Sequence, residues 1–132
     1  MIAKLAAGVT ALFQCVIALV EIVFWMNPKV HSRLLFDAVE AQKAAPIVQN
    51  AGLYNAFLAA GFIWGFAAKS GREGIFTFFL ACVAIAGVFG AMTLQTSSPF
   101  PLTLVVQTLP AALGLAAMWW PASRAGERSD RT

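Results

Sequence analysis

The 132-residue sequence carries nine Lys or Arg, six Asp or Glu and one His, for a net charge of +3; 60% of its residues are apolar and only 11% are charged. Soluble domains run near 45–50% apolar and about 25% charged, and intrinsic disorder needs low hydrophobicity with high net charge. With two cysteines and a mean hydropathy of +0.76, the composition also excludes a disulfide scaffold and points to lipid as the solvent.

Four apolar runs punctuate the chain: Leu5–Met26, Ile47–Ala68, Ile75–Leu94 and Leu102–Trp120. Each is about 20 residues, enough to cross a hydrocarbon core of roughly 30 Å as a helix. Backbone facing lipid must satisfy its own hydrogen bonds, so helices are the expected form. Pro28, Pro46, Pro101 and Pro121 mark span ends, whereas Pro110 lies inside the fourth run and predicts a kink. The expected fold class is an all-α membrane protein: an antiparallel four-helix transmembrane bundle over residues 1–122, with residues 123–132 as a disordered tail. Leu5–Val20 could pass for the apolar core of a signal peptide, but Lys4 is the only n-region charge and no A-x-A-like site precedes Glu21, so cleavage is not expected.

Between the first two spans, Asn27-Pro28 reads as an N-cap followed by a proline at the first helical position. Residues 28–45 sort into an apolar and a polar half at 100° per residue, with Arg33 and Asp37 as an (i, i+4) pair of opposite charge. This predicts an amphipathic helix lying flat on the outer surface. His31 falls in its apolar half, either as an interfacial side chain or as a pH-sensitive lid residue.

Lys4, Lys69, Arg72, Arg124, Arg128 and Arg131 lie on one side of this arrangement, and Lys29, Arg33 and Lys43 on the other. The asymmetry places both termini in the cytoplasm. The basic balance is therefore a topology signal. Nucleic acid is not an expected partner, because three spaced arginines on a tail form no dense basic face.

Polar side chains inside membrane spans are costly and often mark function. On the first span Ala7, Thr10, Ala11, Gln14, Ala18, Glu21 and Trp25 share one stripe. On the second, Asn50, Tyr54, Gly61 and Gly65 share another, with Asn55 about a quarter-turn away. Thr103, Gln107, Ala111 and Gly114 mark the fourth. Counting from the outer ends puts Glu21 roughly 8 Å and Gln107 roughly 9 Å deep, level with Asn50, Tyr54 and Asn55. A carboxyl, three amides and a phenol thus gather in the outer half of the bundle. They form either an interhelical hydrogen-bond cluster that fixes register or a small-molecule site. The candidate ligand-binding residues are Glu21, Gln14, Trp25, Asn50, Tyr54, Asn55, Gln107 and His31. Gly61-x-x-x-Gly65 is a close-packing motif that also suits a homo-oligomer.

Glu21-x-x-x-Trp25, the run from Asn50 to Gly61 (NAGLYNAFLAAG) and Trp64-Gly65 resemble a bacterial four-span integral-membrane family, catalogued as domain of unknown function thirteen-zero-four. The resemblance is carried best by the first two spans and implies a multi-pass protein of the bacterial inner membrane. The family's recurring residues fall on Glu21, Trp25, Asn50, Gly52, Tyr54 and Asn55. The chain departs from the family's pattern at Phe13-Gln14, where an acid–histidine pair stands in the family, and at Ala51, where the family has glutamine. The resemblance implies no activity.

One histidine cannot supply a bis-histidine haem, and no Cys/His/carboxylate set has zinc-ligand spacing, so no cofactor or metal is expected. Cys15 and Cys82 read as small buried hydrophobes at different depths. The leading expectation is binding or permeation of a small lipophilic or weakly polar molecule around Glu21. A membrane-embedded enzyme moving a proton on a quinone- or isoprenoid-like substrate, with Glu21 as acid–base, and a structural subunit of a membrane complex are the alternatives.

Overall fold

The computed structural model describes the backbone of residues 1–129 and the side chains of residues 1–119. Within them the chain is all-helical. The elements are α1 (Ile2–Val23), a short α2 (Pro28–His31) running into a 3-10 turn (Ser32–Leu34), α3 (Ala38–Ala67), α4 (Arg72–Thr93), and α5 (Leu109–Ser129) preceded by a π-helical turn (Leu104–Thr108). The four long helices form a closed circuit of neighbours: α1 lies against α3 and α5, and α4 against α3 and α5. A core of Ala7, Phe62, Phe76, Leu80, Val83 and Ala111 sits where they meet, toward the N-terminal end of α1.

Each of these contacts is built on a glycine. On α3 a Cβ at Gly52 would meet Ile22 Cγ1 at 2.7 Å and Glu21 Cβ at 2.9 Å on α1. A Cβ at Gly61 would collide with the Phe79 ring, and one at Gly65 would lie 2.5 Å from Phe76, both on α4. On α5 a Cβ at Gly114 would meet Leu80 of α4 at 2.9 Å and Ala6 of α1 at 3.2 Å. The Gly61–Gly65 face expected to serve a second copy is thus occupied inside the chain by the phenylalanines of α4.

The segment between α1 and α3 corrects the expected amphipathic helix over residues 28–45. Asn27 does cap Pro28–His31, its side chain accepting from Lys29 N–H at 2.9 Å. The helix then stops at Leu35, which adopts a left-handed conformation (φ 62). Asp37 opens a new helix with a full capping box: its carboxylate accepts from the Val39 and Glu40 N–H groups at 2.8 Å, and Glu40 accepts from Asp37 N–H at 3.0 Å. An N-cap aspartate with glutamate three residues on is a strong helix start, so residues 38–45 join the helix that follows. Asp37 is drawn into the cap, and no Arg33–Asp37 ion pair forms among the described residues.

Pro46, read as a span end, sits inside α3 instead. Pro110 produces no break either. Its ring would clash with the carbonyl four residues earlier, and the chain widens just before it, with Leu109 N–H bonding to Leu104 C=O across a π turn. α5 carries its backbone to Ser129, into the segment expected to be a disordered tail; the end of that segment, residues 130–132, lies outside the described residues.

Two helices, Ile2–Val23 and Arg72–Thr93, are long and apolar enough to cross a membrane. The other two fall short for identifiable reasons. The amides and phenol of Gln49, Asn50, Tyr54 and Asn55 dilute the apolarity of α3. The apolar stretch that ends at Trp119 begins only at Leu104.

The glycine contacts make a direct prediction. Gly61→Leu forces the rigid Phe79 ring aside and lowers stability by about 3 kcal/mol. Gly74→Ala, where a Cβ meets nothing within 4 Å, is neutral or stabilising by up to about 1 kcal/mol. Thermal unfolding of the two variants in the same detergent checks the pair.

Candidate functional site

The side chains singled out by sequence separate into three places. The first is a corner between α1 and α3. Trp25, 2% exposed, donates its indole N–H to Ala41 C=O at 2.8 Å, tying the end of α1 to the first turns of α3. Phe36 and His31 stand edge-on to it, with centroids at 5.5 and 6.3 Å. His31 is buried, its Nδ1 2.9 Å from Phe36 C=O. This aromatic knot closes the 24–37 segment over the helix ends.

The second place is the α1–α3 interface. Asn55 Nδ2 donates to Glu21 Oε2 at 2.8 Å, and Glu21 is half-buried against Gly52. Of the polar cluster expected around Glu21, only Asn55 is bonded to it. Asn50 and Tyr54 are exposed, Tyr54 at 60%, and face away from the helix interior. Asn50 and Tyr54 follow Ala38 by twelve and sixteen residues in one continuous helix, and the Gly52 contact turns the intervening face toward α1, leaving these two outside.

The third place is the interior. Gln14 has no exposed surface, and neither Oε1 nor Nε2 has a hydrogen-bond partner. An amide buried without partners costs roughly 1–3 kcal/mol. Gln107, 9% exposed, projects from the π turn. Its Cβ lies by Gly87 on α4, where Thr108 Oγ1 donates to Ala84 C=O at 3.2 Å. Ala6 lies against Gly114; counting eight residues along the two antiparallel helices brings Gln14 opposite Val106, next to Gln107. The two glutamines share one level.

Above that level, at the Trp25 end, lies a half-enclosed cavity of about 560 Å³. Arg33 and Leu34 form one wall, Gly90 and Ala91 of α4 with Leu94 just after it another, and the 96–103 segment the rest. Ser97 fastens the roof: its backbone N–H donates to Arg33 C=O at 2.9 Å and its hydroxyl to the same oxygen at 3.3 Å. Thr103 lines the cavity with a buried hydroxyl that has no partner. Among the described residues no acidic side chain lines it. Arg33, Ser97 and Ser98 are absent from the sequence-derived site. The one available signal was the composition of residues 95–101, a polar loop without charge between two apolar runs.

The chain belongs to the family described as Protein of unknown function (DUF1304), whose model matches residues 8–119. It is the family, domain of unknown function thirteen-zero-four, that the Glu21–Gly65 motifs resemble. The match is not confined to the first two long helices but runs through α4, the π turn and α5, and the family's description assigns neither four spans nor an activity. No curated protein and no solved structure matches the chain. Among the described residues no group of three His, Cys, Asp or Glu is placed to hold a metal ion.

Because a glutamine Oε1 accepts from Asn55 as a carboxylate does, Glu21→Gln is expected to leave the α1–α3 interface nearly intact. Asn55→Leu removes the donor and costs about 1–2 kcal/mol. Unfolding midpoints of both variants test this; a larger loss in Glu21→Gln would show that the carboxyl has a second, unseen role.

Proposed function

We propose that the chain is a four-span integral membrane protein that binds a small amphipathic molecule in the cavity at its Trp25 end. The cavity itself carries the reading. Its volume of about 560 Å³ falls in the range of small-molecule sites, roughly 300–1,000 Å³. It combines apolar walls with a few polar residues, Arg33, Thr96, Ser97 and Ser98.

The membrane setting is supported by an inverted pattern of polarity. Leu5, Leu12, Phe78, Ile85 and Phe89 are each more than 60% exposed, while Thr10, Gln14 and Gln107 are buried. Water-soluble monomers rarely expose apolar surface on that scale. With six cations of one end set against three of the other, the positive-inside rule puts both termini in the cytoplasm of a bacterial inner membrane and the cavity at the outer face.

Binding is favoured over permeation because the interior is closed below the glutamines. Ala7, Phe62, Phe76, Leu80, Val83 and Ala111, none more than 2% exposed, fill it toward the N-terminal end of α1. Glu21 does not line the cavity and is engaged by Asn55, so neither ligand anchoring nor proton transfer centres on it in this reading.

Two measurements follow. With Cys15 and Cys82 replaced by alanine, Ser98→Cys reacts with a membrane-impermeant maleimide in intact cells and Ser70→Cys reacts only after permeabilisation; the reverse pattern inverts the topology. Tritiated dodecanol binds saturably to the wild-type protein in phosphatidylcholine nanodiscs, and Ala91→Trp, which fills the cavity, loses at least tenfold in affinity with an unchanged unfolding midpoint. Equal binding by the two proteins would remove the cavity from the reading.

A further inference from the structure

A second cavity lies at the opposite end of the molecule, beneath the packed core. It is half-enclosed, holds about 730 Å³, and is walled by the first turn of α1, the first two turns of α4 and the last turn of α5 whose side chains are described. We infer, on the membrane orientation proposed above and independently of the outer cavity, that this one seats an anionic phospholipid of the cytoplasmic leaflet. Its phosphate is met by Lys4 and Arg72, and the start of its acyl chains lies against Phe76 and Met118.

The charges come first. Arg72 is held by neutral acceptors at the C-terminal end of α3. Its Nε donates to Gly65 C=O at 3.1 Å, and its Nη2 to Phe66 C=O at 3.2 Å and Ala68 C=O at 2.9 Å. Carbonyls orient the guanidinium but carry no net charge, and Nη1 takes no part in these bonds. A guanidinium so fixed is a strong donor to phosphate oxygens. Lys4 enters from α1, and Glu73 is the one acid on the wall, so two cations against one anion leave the described lining at +1.

Charge and apolar surface are separated along the cavity. Arg72 opens α4 at the mouth, and Thr77 lies five residues, about 7.5 Å, further in. At that inner end Phe76 belongs to the buried core and Met118 packs against it, so the floor of the cavity is the core itself. The Thr77 hydroxyl donates to Met118 Sδ at 3.9 Å and is engaged within the chain. Trp119, 68% exposed, also lines the cavity, and an exposed indole belongs at the headgroup level of a bilayer. Gly74 faces open space, since a Cβ there meets nothing within 4 Å.

A membrane amphiphile with an anionic head satisfies both parts of this lining. A free phosphate would leave the apolar floor in water, and a fatty alcohol would leave two cations without a counter-charge. The cytoplasmic leaflet supplies anionic lipids, and basic pockets between membrane helices on that side take phosphate heads.

Native mass spectrometry of the full chain in non-ionic detergent, titrated with phosphatidylglycerol or with phosphatidylcholine of the same chains, tests this. One phosphatidylglycerol is expected to bind per chain at about tenfold lower concentration than phosphatidylcholine, a ratio of ~1.4 kcal/mol. Lys4→Gln weakens phosphatidylglycerol binding about fivefold, the effect of one basic residue near an anionic surface. It leaves phosphatidylcholine binding and the lipid-free unfolding midpoint unchanged. Gly74→Trp, which fills the open space, abolishes the preference. Glycerol 3-phosphate, the head without its chains, leaves the lipid bound; displacement by it would assign the cavity to soluble phosphates and overturn the inference. Equal binding of the two lipids by the wild-type protein also overturns it, as does an undiminished preference in either variant that keeps the wild-type midpoint. Maleimide labelling at residues 70 and 98 tests the orientation, and dodecanol binding the outer cavity, so failure here is distinct from failure of either.

Discussion

Close approach of helix backbones at glycine is the constraint on which everything else in this molecule depends. At these contacts the helices are held by van der Waals attraction at short range and by a few interhelical hydrogen bonds. Gly52 brings α3 onto α1, Gly61 and Gly65 bring it onto α4, and Gly114 brings α5 onto α4 and α1. These contacts set the register along each helix pair. Register in turn decides that Glu21 meets Asn55, that Gln14 and Gln107 share a level, and that Thr103 stands above both.

The same constraint divides the interior into two halves with different chemistry. Below the glutamines the glycines admit large side chains, and Phe62, Phe76 and Leu80 form a buried core. Above them α4 and the chain leading into α5 are lined by Gly90, Ala91 and Thr103, small residues that leave a cavity. The packed core separates this cavity from another of about 730 Å³ at the N-terminal end of α1, lined by Lys4, Arg72, Glu73 and Met118 among others. Of the buried polar residues, Gln14, Gln107 and His31 lie at the boundary or above it, and Thr10 one turn below.

How much of this was legible in the sequence varies by kind of signal. Helical periodicity was strong enough to identify the buried stripe of α1, where Ala7, Thr10, Gln14 and Ala18 are buried, with Trp25 buried just beyond its end. Cap chemistry was legible too, but its competing forms were not ranked. Asn27-Pro28 starts a helix as expected, yet the stronger start at Asp37 with Glu40 claims the residues that a wheel plot assigns to a surface helix. Asn50 and Tyr54 were misplaced because depth along a helix follows from counting, whereas direction around it is fixed by the partner, here by where Gly52 touches α1. The cavity was illegible for a different reason. Its walls come from three separate segments, and its roof depends on a hydrogen bond between residues 33 and 97 that no local pattern announces.

That hydrogen bond has an evolutionary corollary. The roof is fastened through the main-chain oxygen of Arg33, so its attachment is indifferent to the side chain at that position. Residue 33 can change its charge, size or polarity without unfastening the 95–101 segment from the 24–37 segment. The rim of the cavity is thus mechanically separate from the chemistry it displays, and the side chain at its mouth is free to change while the frame beneath it stays fixed.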